Sequence, residues 1–217
     1  MREFNLLSSY PRSKRNTDTP RASRGDAQAA ARRFGREYFD GTREQGYGGY
    51  RYDGRWVPIA RDIVAHWGLK PGDRILDIGC AKGFLVKDLM QVCPGLEVFG
   101  LDVSEYALLH CEPETVGRLH LGSAEKLPFP DASFQGALSI NVIHNLEPDG
   151  CVRALKEMMR VSPDRCYVQV DSYRTPEERE KMERWVLTAV TTYDPEGWRA
   201  LFRQAGYNGE YYWTITE

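Results

Sequence analysis

The sequence lacks several features that mark whole classes of protein. No stretch approaches the ~20 consecutive apolar residues of a membrane-spanning helix, and the apolar pair Leu6-Leu7 is too short for the core of a signal peptide. The five cysteines form no CxxC pair, and the four histidines form no HxxxH pair. These absences predict a cytoplasmic chain with reduced thiols and no metal site, rather than a membrane protein or a disulfide framework.

The chain also lacks the large positive excess of a general nucleic-acid binder. Its 217 residues carry 29 Lys and Arg against 31 Asp and Glu, a net charge of −2. The charge is uneven: residues 1–36 hold nine basic and three acidic residues (+6), which leaves 20 minus 28, or −8, on the rest. Residues 1–25 are polar and basic, so we predict a basic arm attached to one acidic domain of ordinary size.

Residues 26–69 are predicted to form N-terminal helices and a loop rich in tyrosine and glycine. Helical patterns cover 26–39 and 55–67, and segment 46–54 between them holds four glycines and three tyrosines. Glycines give this segment conformational freedom, and its aromatic rings can bury apolar area against another surface. The composition predicts a lid over a binding site, with walls from Tyr47, Tyr50 and Tyr52.

From residue 70 to residue 217, short strands alternate with helices. Strands are predicted over 74–78, 97–101, 118–121, 135–140, 166–171 and 209–216. Helices are predicted over 83–91, 104–110, 149–160, 176–190 and 195–205. Repeated strand–helix units of this length imply a doubly wound, mostly parallel α/β sheet with helices on both faces.

The strongest chemical signal lies where the first of these strands turns into a helix. Asp77, Gly79 and Gly83 follow one another there in the order D-x-G-x-x-x-G. Ligands of doubly wound sheets bind at the carboxyl ends of the strands, and glycine lets them approach the backbone closely. Asp102 ends the second strand, 23 residues after Gly79. An acidic residue at that place accepts hydrogen bonds from ribose hydroxyls, so we predict a nucleoside site.

The identity of the nucleoside depends on what surrounds the first glycine. The G-x-G-x-x-G of dinucleotide sites is missing, and Asp77 precedes Gly79 instead. A carboxylate at this point suits a cationic ligand better than a pyrophosphate. On these residues the chain resembles the class I S-adenosylmethionine-dependent methyltransferases, in the small-molecule branch often called type 11. Their cofactor carries an ammonium, a carboxylate and a sulfonium, and no phosphate.

The resemblance covers roughly residues 55–217 and implies that residues 70–217 form an S-adenosylmethionine-binding domain of Rossmann-like methyltransferase fold. Because the family normally ends its sheet with a hairpin and only one clear strand follows Gly206, either the C-terminal hairpin is shortened or its last strand is missing. The resemblance implies the following cofactor-binding residues: Asp77, Gly79, Cys80, Gly83, Asp102, Val103, Ser123, Ala124, Glu125 and Asn141. Cys80 is expected to contribute its backbone and no thiol chemistry.

The implied reaction is in-line transfer of the methyl group to an O or N of a small molecule such as a sugar, an amine or a secondary metabolite. His144 is the candidate general base, because an imidazole titrates near neutral pH; a packed structural histidine is the equally open alternative. Two acidic residues near strand ends, Glu147 and Asp171, point to a cationic or polyhydroxylated substrate, or are solvated surface carboxylates.

Three other interpretations stay open at this stage. An NAD-dependent oxidoreductase would bind nicotinamide dinucleotides, and a non-catalytic partner subunit would bind the cofactor without yielding product. An RNA or protein methyltransferase would use the basic arm, which the acidic remainder of the chain disfavours. We expect the arm to fold back on its own domain, or on a second subunit of a homodimer, and to cover the site. Deletion of residues 1–40 is then expected to impair turnover more than folding.

Overall fold

The structure is a computed structural model that describes residues 1–11, 24–46 and 48–216. Seven strands form one sheet in the order β1-β7-β6-β5-β2-β3-β4, and all neighbouring strands run parallel. The strands are β1 (Arg2–Glu3), β2 (Arg74–Ile78), β3 (Glu97–Asp102), β4 (Leu119–Leu121), β5 (Gly136–Ile140), β6 (Cys166–Ser172) and β7 (Glu210–Ile215). The predicted doubly wound parallel sheet is confirmed.

Helices cover both faces of the sheet and bury two apolar cores. The helices are α1 (Arg24–Ala31), α2 (Arg36–Asp40), α3 (Val57–Trp67), α4 (Phe84–Val92), α5 (Glu105–Leu109), α6 (Pro148–Val161), α7 (Pro176–Trp185) and α8 (Pro195–Ala205). Apolar side chains of α3 and α4 fill one core, and those of α6 and α8 fill the other. None of the helices in the described ranges is long and apolar enough to cross a membrane.

Two predicted helices have different bounds in the structure. The helix predicted over 26–39 divides into α1 and α2, because Phe34 between them adopts a left-handed backbone with φ 49°. The helix predicted over 176–190 ends at Trp185 as α7. Beyond it, the backbone N–H groups of Val190 and Thr191 donate to the carbonyl oxygen of His144 at 2.8 and 2.9 Å. These tertiary hydrogen bonds replace the helical ones and draw the segment over the ends of the strands.

Of the two arrangements expected at the C-terminal edge of the sheet, the described residues show a missing last strand rather than a shortened hairpin. No hairpin is present there among the described residues: β7 runs parallel to β6 on one side and parallel to β1 on the other. Arg2 donates its backbone N–H to Gly209 (3.1 Å), and Phe4 donates to Tyr211 (3.0 Å). The start of the chain therefore covers the edge that a returning strand would otherwise cover.

The first residues of the predicted arm pack into the domain. Leu6 and Leu7 are buried in the core shared with α3 and α4, and the ring of Phe4 stacks on His66 with centroids 4.1 Å apart. Arg2 forms an ion pair with Glu210, but its own side chain is largely exposed, so the pair adds little. Apolar burial rather than charge holds this segment on its own domain. Residues 12–23 of the arm lie outside the described residues.

Candidate active site

A cavity of about 560 Å³ lies at the carboxyl ends of the strands, within the ~300–1,000 Å³ range of ligand sites. Gly79 after β2, Asp102 at the end of β3, Asn141 after β5 and Asp171 near the end of β6 form its floor. These residues come from four adjacent strands, so the parallel topology alone brings them to one edge of the sheet.

The turn after β2 packs closely against the segment that follows β5 and is hydrogen-bonded to β3. Gly79 has φ 80°, and a Cβ at this residue would lie 2.1 Å from Cγ2 of Val142, so no other residue fits without displacement. The backbone N–H groups of Gly79 and Cys80 both donate to the carbonyl oxygen of Leu101, at 2.6 and 3.1 Å. Since these amides are already used, the turn has few donors left for a pyrophosphate.

Asp102 is a buried carboxylate held by backbone donors on both sides. Its Oδ2 accepts the N–H of Ala81 and its Oδ1 accepts the N–H of Ser104, each at 2.8 Å. Burial raises the pKa of Asp102 above its ordinary value, although these hydrogen bonds oppose the shift. Each oxygen keeps a further lone pair, and the residue lines the cavity. The arrangement can accept two hydrogen bonds from a ligand such as a diol.

Asp77 lies in a small side chamber that shares Tyr50, Trp56 and Gly79 with the main cavity. Its side chain is only 5% exposed, and none of the hydrogen bonds among the described residues ends on its carboxylate. Burial, followed by the negative charge of Asp102, raises the pKa of Asp77 to about 7. A buried carboxyl without a donor is a group that a bound cation would stabilise in its ionised form.

This raised pKa predicts pH-dependent ligand binding. Between about pH 4 and 7 the folded protein holds a proton on Asp77 that the unfolded chain has lost, so stability falls as the pH rises through this range. A cationic ligand needs the ionised carboxylate, whose population increases about fivefold from pH 6 to pH 7. We expect the affinity for S-adenosylhomocysteine, which carries the same α-ammonium as S-adenosylmethionine, to increase by that factor with release of a proton.

Calorimetric titrations at pH 6 and pH 7, in buffers of different ionisation enthalpy, measure the affinity for S-adenosylhomocysteine and the number of protons released on binding. The matched control is Asp77→Asn, which removes this proton and leaves the ligand and the other titrating groups of the site, Asp102 included, in place. An identical pH dependence in the wild type and in Asp77→Asn would contradict the assignment of Asp77.

Three further predicted cofactor residues line the cavity beside Val103. They are Ser123, Ala124 and Asn141. Asn141 has a left-handed backbone, with φ 58°, and its Oδ1 accepts a hydrogen bond from Thr214 at 2.8 Å. Its position is therefore fixed by β7 as well as by β5.

Three other predicted cofactor residues do not line the main cavity. Glu125 accepts a hydrogen bond from Nε of Arg153 at 2.9 Å. Cys80 is buried against Gly100, and burial raises the pKa of its thiol well above the ordinary value. Gly83 has φ 79° and precedes α4, with the loop at Thr115 packed against it. Glu125 is therefore engaged by an ion pair, whereas Cys80 and Gly83 allow close packing behind the turn.

Of the two lid tyrosines that the structure describes, Tyr50 and Tyr52, one lies against the cavity. Tyr50 lines it and stacks on Phe84 with ring centroids 5.0 Å apart. Tyr52 instead donates a hydrogen bond to Oδ1 of Asp88 at 2.7 Å and makes an edge contact with the same phenylalanine. Tyr47 lies outside the described residues. The predicted lid is thus reduced to Tyr50 among the residues that the structure describes.

Most of the aromatic residues that cover the cavity were not predicted from the sequence. Phe34, Tyr38 and Phe39 line the cavity, as do Leu7, Tyr10, Trp56 and Trp185. The signal that could have found α2 is its cluster of aromatic residues directly before Asp40. Asp40 fixes this helix over the site, because its carboxylate accepts hydrogen bonds from Lys82 Nζ at 2.6 Å and from the Tyr106 hydroxyl at 2.8 Å.

His144 is buried, and its imidazole ring is oriented by the backbone of Asp171. Its Nδ1 accepts the backbone N–H of Asp171 at 2.9 Å, so the neutral ring carries its proton on Nε2. That nitrogen lies 3.6 Å from Oδ2 of Asp171, and burial lowers the pKa of His144. A general base needs a free lone pair, but the lone pair of Nδ1 is already occupied. This geometry is at odds with the base role expected for His144.

Comparison with known proteins bears directly on this geometry. A family model described as "Methyltransferase domain" matches residues 76–165, from within β2 to the start of β6. The matched range contains both Asp77 and Asp102. This domain belongs to the class I S-adenosylmethionine-dependent methyltransferases. The resemblance identified from the sequence is confirmed, and with it the Rossmann-like fold.

Two relatives illustrate the extent of the similarity. The chain is 36% identical over 122 residues to a demethylmenaquinone methyltransferase of Symbiobacterium thermophilum, covering 50% of this chain and 45% of the relative. It is 30% identical over 146 residues to a 2-methyl-6-phytyl-1,4-hydroquinone methyltransferase of Synechocystis, covering 56% and 44%. The chain thus spans less than half the length of these two curated relatives.

A solved structure shares the fold. A SAM-dependent methyltransferase from Archaeoglobus fulgidus superposes with a TM-score of 0.55 and 17% identity, covering 70% of this chain and 68% of that one. The cofactor that the methyltransferase domain implies is S-adenosylmethionine. The described residues fit it, because the buried carboxyl of Asp77 lacks a partner and Asp102 keeps free lone pairs toward the cavity.

Proposed function

We propose that this chain transfers a methyl group from S-adenosylmethionine to an O or N atom of a small molecule. The observation that carries the proposal is one cavity that extends across the carboxyl ends of the strands. The carboxylate of Asp102 lies toward its β3 end, and the pair of His144 and Asp171 lies toward its β6 end. When bound, S-adenosylmethionine supplies an electrophilic methyl group on a sulfonium. Asp102 would accept the ribose hydroxyls, Asp77 would hold the ammonium, and Val103 would contact the adenine.

The cover of the cavity supports a small acceptor. Helix α2 and the first residues of the chain lie over the strand ends, and their aromatic side chains line the cavity, where they would limit the access of water to the reacting atoms. The two relatives carry the names of quinol and quinone methyltransferases, which fits small-molecule methylation in a biosynthetic pathway. The net charge of −8 over residues 37–217 disfavours an RNA substrate.

A transfer experiment tests the proposal. The full chain is incubated with S-adenosylmethionine carrying a deuterated methyl group and with a metabolite extract, and the products are compared by mass spectrometry. We expect a small molecule to gain one labelled methyl group with the wild type and not with Asp102→Ala. Binding of S-adenosylmethionine without any labelled metabolite would contradict the proposal and favour a non-catalytic subunit.

A further inference from the structure

The charges that line the cavity do not balance. Asp171 is 6% exposed, lines the cavity, and accepts no side-chain hydrogen bond within 3.5 Å among the described residues. Arg55 is the one Lys or Arg among the residues that line the described cavity, and its guanidinium is engaged by the carboxylate of Asp53, with Nε 2.8 Å from both oxygens. The carboxylate of Asp171 is therefore buried without a counter-charge.

His144 positions Asp171 but does not neutralise it. Its Nδ1 accepts the backbone N–H of Asp171, and its Nε2 lies 3.6 Å from the carboxylate. Burial lowers the pKa of His144 and favours the neutral imidazole, so the ring offers no positive charge to the carboxylate. An isolated buried carboxylate is costly, and a ligand with a positive charge would remove that cost.

Asp171 belongs to a different part of the cavity from Asp102. Asp171 lies on β6 and Asp102 on β3, which are separated by β5 and β2. Three strand spacings place them about 14 Å apart across the sheet. One nucleoside held by Asp102 would leave the Asp171 side for the methyl acceptor. The cavity walls include the aromatic ring of Tyr10, and such rings attract cations.

Building on the proposed function, we infer that the methyl acceptor is an amine, bound as its ammonium ion by Asp171. The ammonium donates a hydrogen bond to the carboxylate of Asp171, a residue that lines the cavity. Asp171 then receives one proton: an N–H bond breaks, an O–H bond forms, and the electron pair stays on nitrogen as the nucleophilic lone pair. No oxidant or further reactant is required for this step.

The test compares benzylammonium with benzyl alcohol, two probes of similar shape that both donate hydrogen bonds but differ in charge. Each is titrated into the full chain saturated with S-adenosylhomocysteine, so that neither probe can occupy the Asp77 and Asp102 side. We expect the wild type to bind benzylammonium about tenfold or more tightly than benzyl alcohol. Asp171→Asn is expected to lose this preference.

Glu147→Gln is the matched control, because Glu147 is exposed and does not line the cavity. It is expected to keep the preference for benzylammonium. Equal affinities in the wild type, tighter binding of benzyl alcohol, or binding of neither probe would overturn the inference. Failure of S-adenosylhomocysteine to bind would be seen before any probe is added, and would contradict the proposed function itself.

Discussion

Replacing Asp102 by alanine is expected to weaken the binding of S-adenosylhomocysteine about 100-fold or more. The carboxylate would accept two hydrogen bonds from the ribose, and a hydrogen bond to a charged group contributes about 1.5–3 kcal/mol. Two such bonds amount to about 3–6 kcal/mol, and each 1.4 kcal/mol is a factor of ten in affinity. Titration calorimetry of the wild type and of Asp102→Ala measures the difference.

The same substitution also removes the acceptors for the N–H groups of Ala81 and Ser104. Asp102→Asn keeps an acceptor oxygen, and is expected to bind with an affinity between those of the wild type and Asp102→Ala. Asp164 is an exposed aspartate that directly precedes β6, at the amino ends of the strands and away from the cavity. Asp164→Ala is therefore the control for an aspartate without a ligand role. Thermal melting verifies that each variant is folded. An unchanged affinity in a folded Asp102→Ala would show that the ribose binds elsewhere.

Substitution of Leu6 by alanine is expected to lower the free energy of unfolding by about 2–5 kcal/mol, the usual cost of truncating a buried leucine. Leu6 is 1% exposed and packs with α3 and α4, although it lies only three residues after the edge strand β1. Because domains of this size are stable by about 5–15 kcal/mol, this is a large fraction of the total. Urea unfolding followed by circular dichroism measures it.

Leu109→Ala is the matched control, since Leu109 is a leucine that is 74% exposed, and its truncation is expected to change stability by less than about 0.5 kcal/mol. Equal effects of the two substitutions would mean that residues 1–11 are not part of the core. The position of Leu6 also revises an expectation. Deletion of residues 1–40 removes Leu6 and Leu7 from the core, so folding is expected to suffer together with turnover.

The parts of the fold that local sequence determines were predictable. Strand β2, the turn at Gly79 and the end of β3 at Asp102 follow from patterns within a few residues. The partner of β1 was not predictable, because two residues at the start of the chain pair with a strand more than 200 residues later. The break at Phe34 is similar, since its carbonyl oxygen accepts a hydrogen bond from the hydroxyl of Ser104, 70 residues away.

In the candidate site, too, the features set by local sequence were predictable and those set by distant partners were not. Backbone geometry placed Gly79 and Asp102 at the cavity, whereas the orientation of a side chain depends on partners that the sequence does not identify. Glu125 turns to Arg153 on α6, and the imidazole of His144 is oriented by the backbone of Asp171 on β6. The motif therefore predicted where a ligand would lie better than it predicted which side chains would touch it.

The most direct test of the central claim is a binding titration of the full chain with S-adenosylmethionine and, in parallel, with NADH. The account predicts saturable binding of S-adenosylmethionine at one site per chain and no detectable binding of NADH, because Asp77 favours a cation and the amides of the Gly79 turn are already used. Binding of NADH without binding of S-adenosylmethionine, or binding of neither, would contradict it.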